Sequence, residues 1–60
     1  MEIGNLVRYE RFPDEVSFGY IMYLDADYAN DILYHIRWDD GSETDESEDA
    51  FHTGVIKVIQ

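Results

Sequence analysis

The stretch from Trp38 to Phe51 carries seven of the chain's fourteen acidic residues and no Lys or Arg. Carboxylates at this density offer three kinds of chemistry: metal binding, acid–base catalysis, or recognition of a cationic partner. Their spacing decides among the three. The seven residues are Asp39, Asp40, Glu43, Asp45, Glu46, Glu48 and Asp49.

The spacing does not fit the helix-loop-helix calcium loop. That loop takes oxygen ligands at its first, third and fifth positions, a Gly at the sixth and a Glu at the twelfth. A loop that starts at Asp39 or Asp40 places Ala50 or Phe51 at the twelfth position, and Gly41 does not fall at the sixth. We therefore expect no specific calcium site.

His35 and His52 are the two imidazoles that could join carboxylates in a zinc site. We interpret His35 as a solvated side chain beside Arg37 on an outer face, and His52 as the neighbour of a turn. Catalysis by a carboxylate pair needs one group desolvated in a cleft, and a 60-residue domain offers little cleft. Cys nucleophiles and a glycine-rich phosphate loop are also absent from the sequence. The sequence predicts a non-enzymatic protein with no catalytic residues, metal or cofactor.

Nine aromatic residues are more than a core of this volume can hold, so some must face outward. A strongly bent strand can bury the rings while the Tyr hydroxyls stay hydrated. Alternatively, the rings form an interface, because Tyr is favoured in binding hot spots. Three aromatics are assigned to a contact surface on this second interpretation: Tyr9, Tyr20 and Trp38.

The formal net charge of −10 limits the partners that this chain can bind. Nucleic acids are bound mainly through Lys and Arg, so direct nucleic-acid binding is not expected. The same field repels anionic lipid and attracts a basic surface. A basic leader segment and an apolar run long enough to span a membrane are absent, so we expect a soluble, cytoplasmic protein.

Alternation and β-branched residues recur in short blocks between turn residues, which predicts a single all-β domain. Residues 10–16 are predicted to form a loop because of Pro13, and residues 25–31 a turn; helix over 25–36 is the alternative. Asp39 to Gly41 predicts a tight turn. The five predicted strands are Leu6–Tyr9, Phe18–Leu24, Ile32–Trp38, Ser42–Ser47 and Val55–Ile59.

The predicted strands differ in the polarity of their two faces, and the third strand has the clearest assignment. Strand two is apolar on both faces, and strand four is polar on both, which predicts a short peripheral edge. A single turn at Ala50 and Phe51 should place Phe51 on the open end of the core. In strand three, Ile32, Tyr34, Ile36 and Trp38 are expected to face the core, and Leu33, His35 and Arg37 the opposite side.

Four short segments together resemble the SH3-like small barrels, most closely Tudor and chromo-barrel modules. These segments are Gly4-x-x-Val7, Gly19-x-Ile21, "YHIRWDDGSE" (34–43) and "VIKVI" (55–59). The resemblance implies a strongly bent five-stranded sheet with ligand contacts from loops and exposed aromatics. It also implies an aromatic cage for a methylated cation, built from Trp38 or Tyr9 with a nearby acid. It implies no particular reaction.

The sequence thus predicts a five-stranded SH3-like barrel with an acidic hairpin between strands three and four. We expect a protein-interaction module that docks a basic protein surface through this hairpin and the exposed aromatics. The alternative is a small viral-type inhibitor or nucleic-acid mimic that occupies the basic groove of a DNA- or RNA-binding protein. A further alternative is a homodimer that buries the exposed aromatics. A last alternative is that the acidic hairpin only keeps the chain soluble and blocks edge-to-edge strand pairing.

Overall fold

The computed structural model describes residues 2–12, 15–26 and 29–60. Within these ranges, five antiparallel strands make one open sheet, and one short helix lies between the last two strands. The all-β fold predicted from the sequence is confirmed at this level. The elements are β1 (Leu6–Phe12), β2 (Glu15–Ala26), β3 (Ile32–Trp38), β4 (Glu43–Ser47), α1 (Glu48–His52) and β5 (Ile56–Val58).

The strand order is β4-β3-β2-β1-β5, so β2 is central and β4 and β5 are the edges. Helix α1 leads from one edge to the other and contacts both. The short polar edge expected for strand four is therefore confirmed. Among the described residues, no helix has the length and apolar character needed to cross a membrane.

The predicted loop over residues 10–16 is wrong at most of its positions. Glu10 pairs with Val16, and Phe12 pairs with Glu15, so β1 and β2 continue towards each other through this stretch. Pro13 and Asp14 lie outside the described residues. Pairing of two adjacent strands supplies backbone hydrogen bonds that outweigh the weak strand preference of charged residues.

The predicted turn over residues 25–31 is confirmed only in its second half. Asp25 and Ala26 belong to β2, Asp27 and Tyr28 lie outside the described residues, and Asn30 adopts a φ of 63°. Asn tolerates this left-handed conformation better than most residues, as a turn requires. The helical alternative over residues 25–36 is wrong at both ends, because Asp25 and Ala26 belong to β2 and Ile32–Trp38 is strand β3.

The core lies on one side of the sheet, here called the inner face. Its buried side chains come from four strands, and Phe51 of α1 packs against them with its ring centroid 5.1 Å from that of Tyr34. The expected placement of Phe51 on the end of the core is confirmed. The buried side chains are Val7, Ile21, Tyr34, Ile36 and Ile56.

Two face assignments depend on details of strand pairing. Ile21 pairs with Ile36 and is fully buried, whereas Tyr23 pairs with His35 and is 46% exposed, because the register shifts between them. Such a bulge puts residues two apart on different faces. Ile32 was expected in the core and is 42% exposed, which corrects that assignment. It pairs with Ala26, beyond the part of β2 that pairs with β1, so the core does not extend beneath it.

Candidate functional site

A groove of about 300 Å³ opens on the inner side of the sheet, beside the turn after β3. Two aromatic rings and two carboxylates line it together with three small hydroxyl side chains. Strand register explains the grouping, because Tyr9 pairs with Ser17 and so lies on the same face. The lining residues are Tyr9, Ser17, Trp38, Asp40, Ser42, Thr44 and Glu46.

Trp38 is held in the groove by contacts on several sides. Its Nε1–H donates to Thr44 Oγ1 at 2.8 Å, and Tyr9 meets it edge to face with ring centroids 5.8 Å apart. Gly19, its partner on β2, has no side chain to push the indole away. The ring is therefore fixed in orientation while it remains partly accessible.

The turn after β3 fixes one carboxylate at the mouth of the groove. Gly41 adopts a φ of 89°, as predicted for the tight turn, and its N–H donates to the Trp38 carbonyl at 2.9 Å. Asp40 Oδ1 accepts from Ser42 Oγ at 2.6 Å and from the Ser42 N–H at 2.9 Å. These bonds, that of the hydroxyl above all, lower the pKa of Asp40 from its ordinary value. Asp40 is thus ionised at neutral pH.

On the opposite side of the sheet, here called the outer face, His35 links two acidic side chains of β4. Its Nε2 lies 2.7 Å from Glu43 Oε1, and its Nδ1 lies 2.8 Å from Asp45 Oδ1. Its ring stacks on Tyr23 of β2 with centroids 4.4 Å apart. Arg37 is its neighbour on the same face of β3. We call His35, Glu43 and Asp45 the imidazole clamp.

A neutral imidazole has one N–H, so both short contacts of the clamp are hydrogen bonds only when His35 is protonated. The hydrogen bond to Glu43, followed by that to Asp45, raises the pKa of His35. The expectation of a solvated His35 is wrong, since 14% of its side chain is exposed. It is covered because Tyr23 and two carboxylates close over the ring.

Two further acids of the stretch, Glu48 and Asp49, lie in the first turn of α1. Glu48 Oε1 accepts a hydrogen bond from the Tyr34 hydroxyl at 3.3 Å. Burial, followed by the charge of Glu48, raises the pKa of Tyr34. Asp49 is exposed beside it. Glu48 therefore anchors the helix to the core as well as contributing charge.

The structure divides the predicted contact residues among three places. The groove contains four of them: Tyr9, Trp38, Asp40 and Glu46. The outer face contains Tyr20, Glu43 and Asp45, with Asp39 beside Phe18 at its border. The start of α1 contains Glu48 and Asp49.

Sequence reasoning missed the hydroxyl side chains of the groove and the role of His35. Alternation along β4 places Thr44 and Glu46 on one face and Glu43 and Asp45 on the other. The tight turn at Asp39–Gly41 sets the register that brings Asp45 opposite His35. Both signals are present in the sequence, but they become readable only once that register is known.

The arrangement offers recognition chemistry. Within the described ranges, no group of three or more His, Cys, Asp or Glu side chains is placed to hold a metal ion. Two carboxylates and two aromatic rings line one groove, which is negative and partly apolar and so complements an organic cation. Comparison with family models, with curated proteins and with solved structures finds no match to this chain.

Proposed function

We propose that this chain is a non-enzymatic protein-interaction module that docks a basic protein surface. Its contact surface is the groove together with the acidic residues of β4 and of the turn before it, which form the acidic hairpin. The single observation that carries the proposal is that Tyr9, Trp38, Asp40 and Glu46 line one groove. A cationic side chain of the partner enters this groove.

The strand arrangement supports an SH3-like barrel as the scaffold. Strands that follow each other from β1 to β4 are neighbours, and β5 returns to pair with β1. Helix α1 contacts both edge strands, β4 and β5, and so brings the two ends of the sheet into one packed unit. In such a scaffold, loops and exposed aromatics make the ligand contacts. The groove lies beside the turn after β3 and contains two aromatics, which supports this scaffold.

The groove favours a cation for two physical reasons. A cation within about 6 Å of an indole face gains about 0.5–2 kcal/mol, more as water is excluded. Asp40 is ionised at neutral pH, as an exposed carboxylate whose pKa Ser42 lowers further, so it can pair with the incoming charge. Lysine, methylated lysine and arginine side chains share this chemistry, and the groove volume of about 300 Å³ accommodates each.

The net charge of the chain adds a long-range contribution. At −10, the molecule attracts a basic partner before contact and raises the association rate at low salt. Screening shortens this attraction to about 10 Å at 0.1 M salt. Binding that depends on the groove and the acidic hairpin should therefore weaken as salt is added.

Fluorescence of Trp38, the one tryptophan of the chain, gives a direct test. We expect a short lysine-rich peptide to change the emission saturably, and the same peptide with acetylated lysines to have little effect. Asp40→Asn with Glu46→Gln should raise the dissociation constant about tenfold. The matched control, Glu2→Gln with Asp25→Asn, removes the same charge outside the groove and should change it much less.

Two outcomes would overturn the proposal. One is an equal response to charged and acetylated peptides, which would mean that the groove does not distinguish a charged side chain from a neutral one. The other is an equal loss in the groove variant and its matched control, which would assign binding to net charge alone. Far-UV circular dichroism of both variants establishes that each is folded.

A further inference from the structure

The outer face carries charge of both signs in a fixed order. Residues that pair across strands share a face, so Leu6, Tyr20, Arg37 and Glu43 form one row across four strands. A second row runs through Lys57, Arg8 and Phe18, and the backbone N–H of Asp39 donates to the Phe18 carbonyl at 2.8 Å. The first row ends in Glu43 on β4, beside Arg37 on β3, and the second reaches Asp39 after β3. The second row is basic at its β5–β1 end.

The middle of the outer face is apolar and uncovered. Leu6, Phe18 and Tyr20 are 41%, 47% and 41% exposed. Together with Arg37 and Asp39 they border a shallow depression of about 200 Å³. Exposed apolar side chains that are contiguous and rimmed by charge are typical of interaction sites. Phe18, on the central strand, is the most exposed of the three.

The cations of this face are largely available for an external partner. Within the described part of the chain, Arg37 and Lys57 form no ion pair, and Arg8 makes a single long contact of 3.6 Å with Glu10. Exposed pairs of this kind contribute little to stability. The described cations of this strongly acidic chain are therefore grouped around an apolar patch. An acidic partner surface would complement them.

We propose that a second copy of this chain covers the outer face in a twofold symmetric dimer. The occupant is a second copy because the same face supplies both complementary charges. The two copies stack outer face against outer face, and the twofold axis lies between them, parallel to β2. This axis places the β4 side of one copy opposite the β5 side of the other. Arg8 and Lys57 of one copy then lie against Asp39 and Glu43 of its partner, and each Phe18 lies near the axis. Such an interface is self-complementary, as twofold dimers require.

Repulsion between two chains of −10 charge opposes this dimer at low salt. Salt screens that long-range repulsion, while the apolar contact at Phe18 is kept or strengthened. Association should therefore increase from low to moderate ionic strength. This is the reverse of the salt dependence expected for docking of a basic partner in the groove.

Sedimentation equilibrium at moderate salt tests the dimer. At high protein concentration, we expect a mass near twice the 7.1 kDa of the chain. Phe18→Ser should raise the dimer dissociation constant at least tenfold. Ile32→Ser, which changes an exposed apolar residue outside the proposed interface, is the matched control and should leave it nearly unchanged.

Charge exchange gives the sharper test. Arg8→Glu with Lys57→Glu makes both ends acidic, and Asp39→Lys with Glu43→Lys makes both basic, so each variant alone should be monomeric. An equal mixture should form the heterodimer, because both contacts become complementary again. Thermal melts of each variant establish that it is folded.

Two results would overturn the dimer. They are a wild type that stays monomeric at high concentration, and a mixture that associates no better than its components. Glu46→Gln separates this inference from the proposed function, since it lies in the groove and should leave the dimer intact. A monomeric protein that still binds lysine peptides through Trp38 would remove the dimer and keep the groove.

Discussion

Gly19 lies against Trp38 so closely that a Cβ added to Gly19 would stand 2.9 Å from Trp38 Cε3. The same Cβ would stand 2.5 Å from the Arg37 carbonyl oxygen, which belongs to the backbone and cannot turn aside. The absence of a side chain at residue 19 therefore allows β3 to approach β2 and the indole to lie in the groove.

Gly19→Ala should displace Trp38 and disturb the pairing of β2 with β3. Overpacking of this kind costs roughly 1–3 kcal/mol. We expect a lower free energy of unfolding in urea and a shifted Trp38 emission maximum in the folded state. A variant with unchanged stability and unchanged emission would mean that Gly19 does not position the indole.

Thr44→Val should loosen the indole without removing it, because Val keeps the shape of Thr and loses the hydroxyl that accepts from Trp38 Nε1. Loss of a hydrogen bond costs about 0.5–1.5 kcal/mol. We expect faster exchange of the indole N–H with solvent, measured by NMR. Exchange as slow as in the wild type would show that the bond does not hold the ring. The matched control is Thr53→Val, which removes a hydroxyl that donates to the Ala50 carbonyl of α1.

Much of the sheet could be predicted from the sequence, because its strands follow local signals. Strand β3 was predicted with its observed bounds, Ile32–Trp38, since alternation is strong there. The ends of β1 and β2 could not be predicted, because pairing between the two strands extends them through residues that have weak preferences of their own. The bulge after Ile21 left no readable signal, and it decides that Tyr23 faces outward.

The sequence indicates candidate residues of the groove but not their geometry. The sequence singles out Tyr9 and Trp38 as candidate contact aromatics, and the structure places them in one groove with Asp40 and Glu46. The acids of the stretch are contiguous in the sequence and suggest one surface, yet alternation along β4 divides them between two faces. That division depends on the register after the Asp39–Gly41 turn.

The imidazole clamp should make stability depend on pH. The pKa of His35 is raised in the folded protein, so the clamp contributes fully below about pH 6.5, the ordinary value. Its contribution is lost as the pH rises through the folded-state pKa. We expect the free energy of unfolding of the wild type to fall between mildly acidic and mildly basic pH, and that of His35→Gln to change much less.

His52→Gln is the matched control for the clamp, because His52 is an exposed imidazole at the end of α1. This variant should keep the pH dependence of the wild type. Equal pH dependence in His35→Gln and the wild type would contradict the clamp.

Ile36→Val and Ile32→Val compare the same change on one strand. Ile36 is fully buried and should lose about 0.5–1.5 kcal/mol, whereas Ile32 is 42% exposed and should lose much less. Urea unfolding of both variants measures the difference. Equal losses would contradict the exposed position of Ile32 outside the core.

Moderate salt should stabilise the isolated fold, because fourteen acidic residues face only four basic ones. Screening reduces their mutual repulsion. We expect the thermal midpoint to rise on going to about 0.3 M NaCl. A midpoint that falls would mean that attractive pairs, such as those of the clamp, outweigh the repulsion.

The central claim is that a cationic side chain enters the groove lined by Tyr9, Trp38, Asp40 and Glu46. An NMR titration of the ¹⁵N-labelled protein with a lysine-rich peptide tests it most directly, because the Trp38 indole N–H and the backbone N–H groups of Ser17 and Thr44 report from the groove. We predict saturable shifts at these signals, which Asp40→Asn with Glu46→Gln suppresses. Shifts confined to the outer face around Phe18 and Tyr20, with an unmoved indole signal, would contradict the claim.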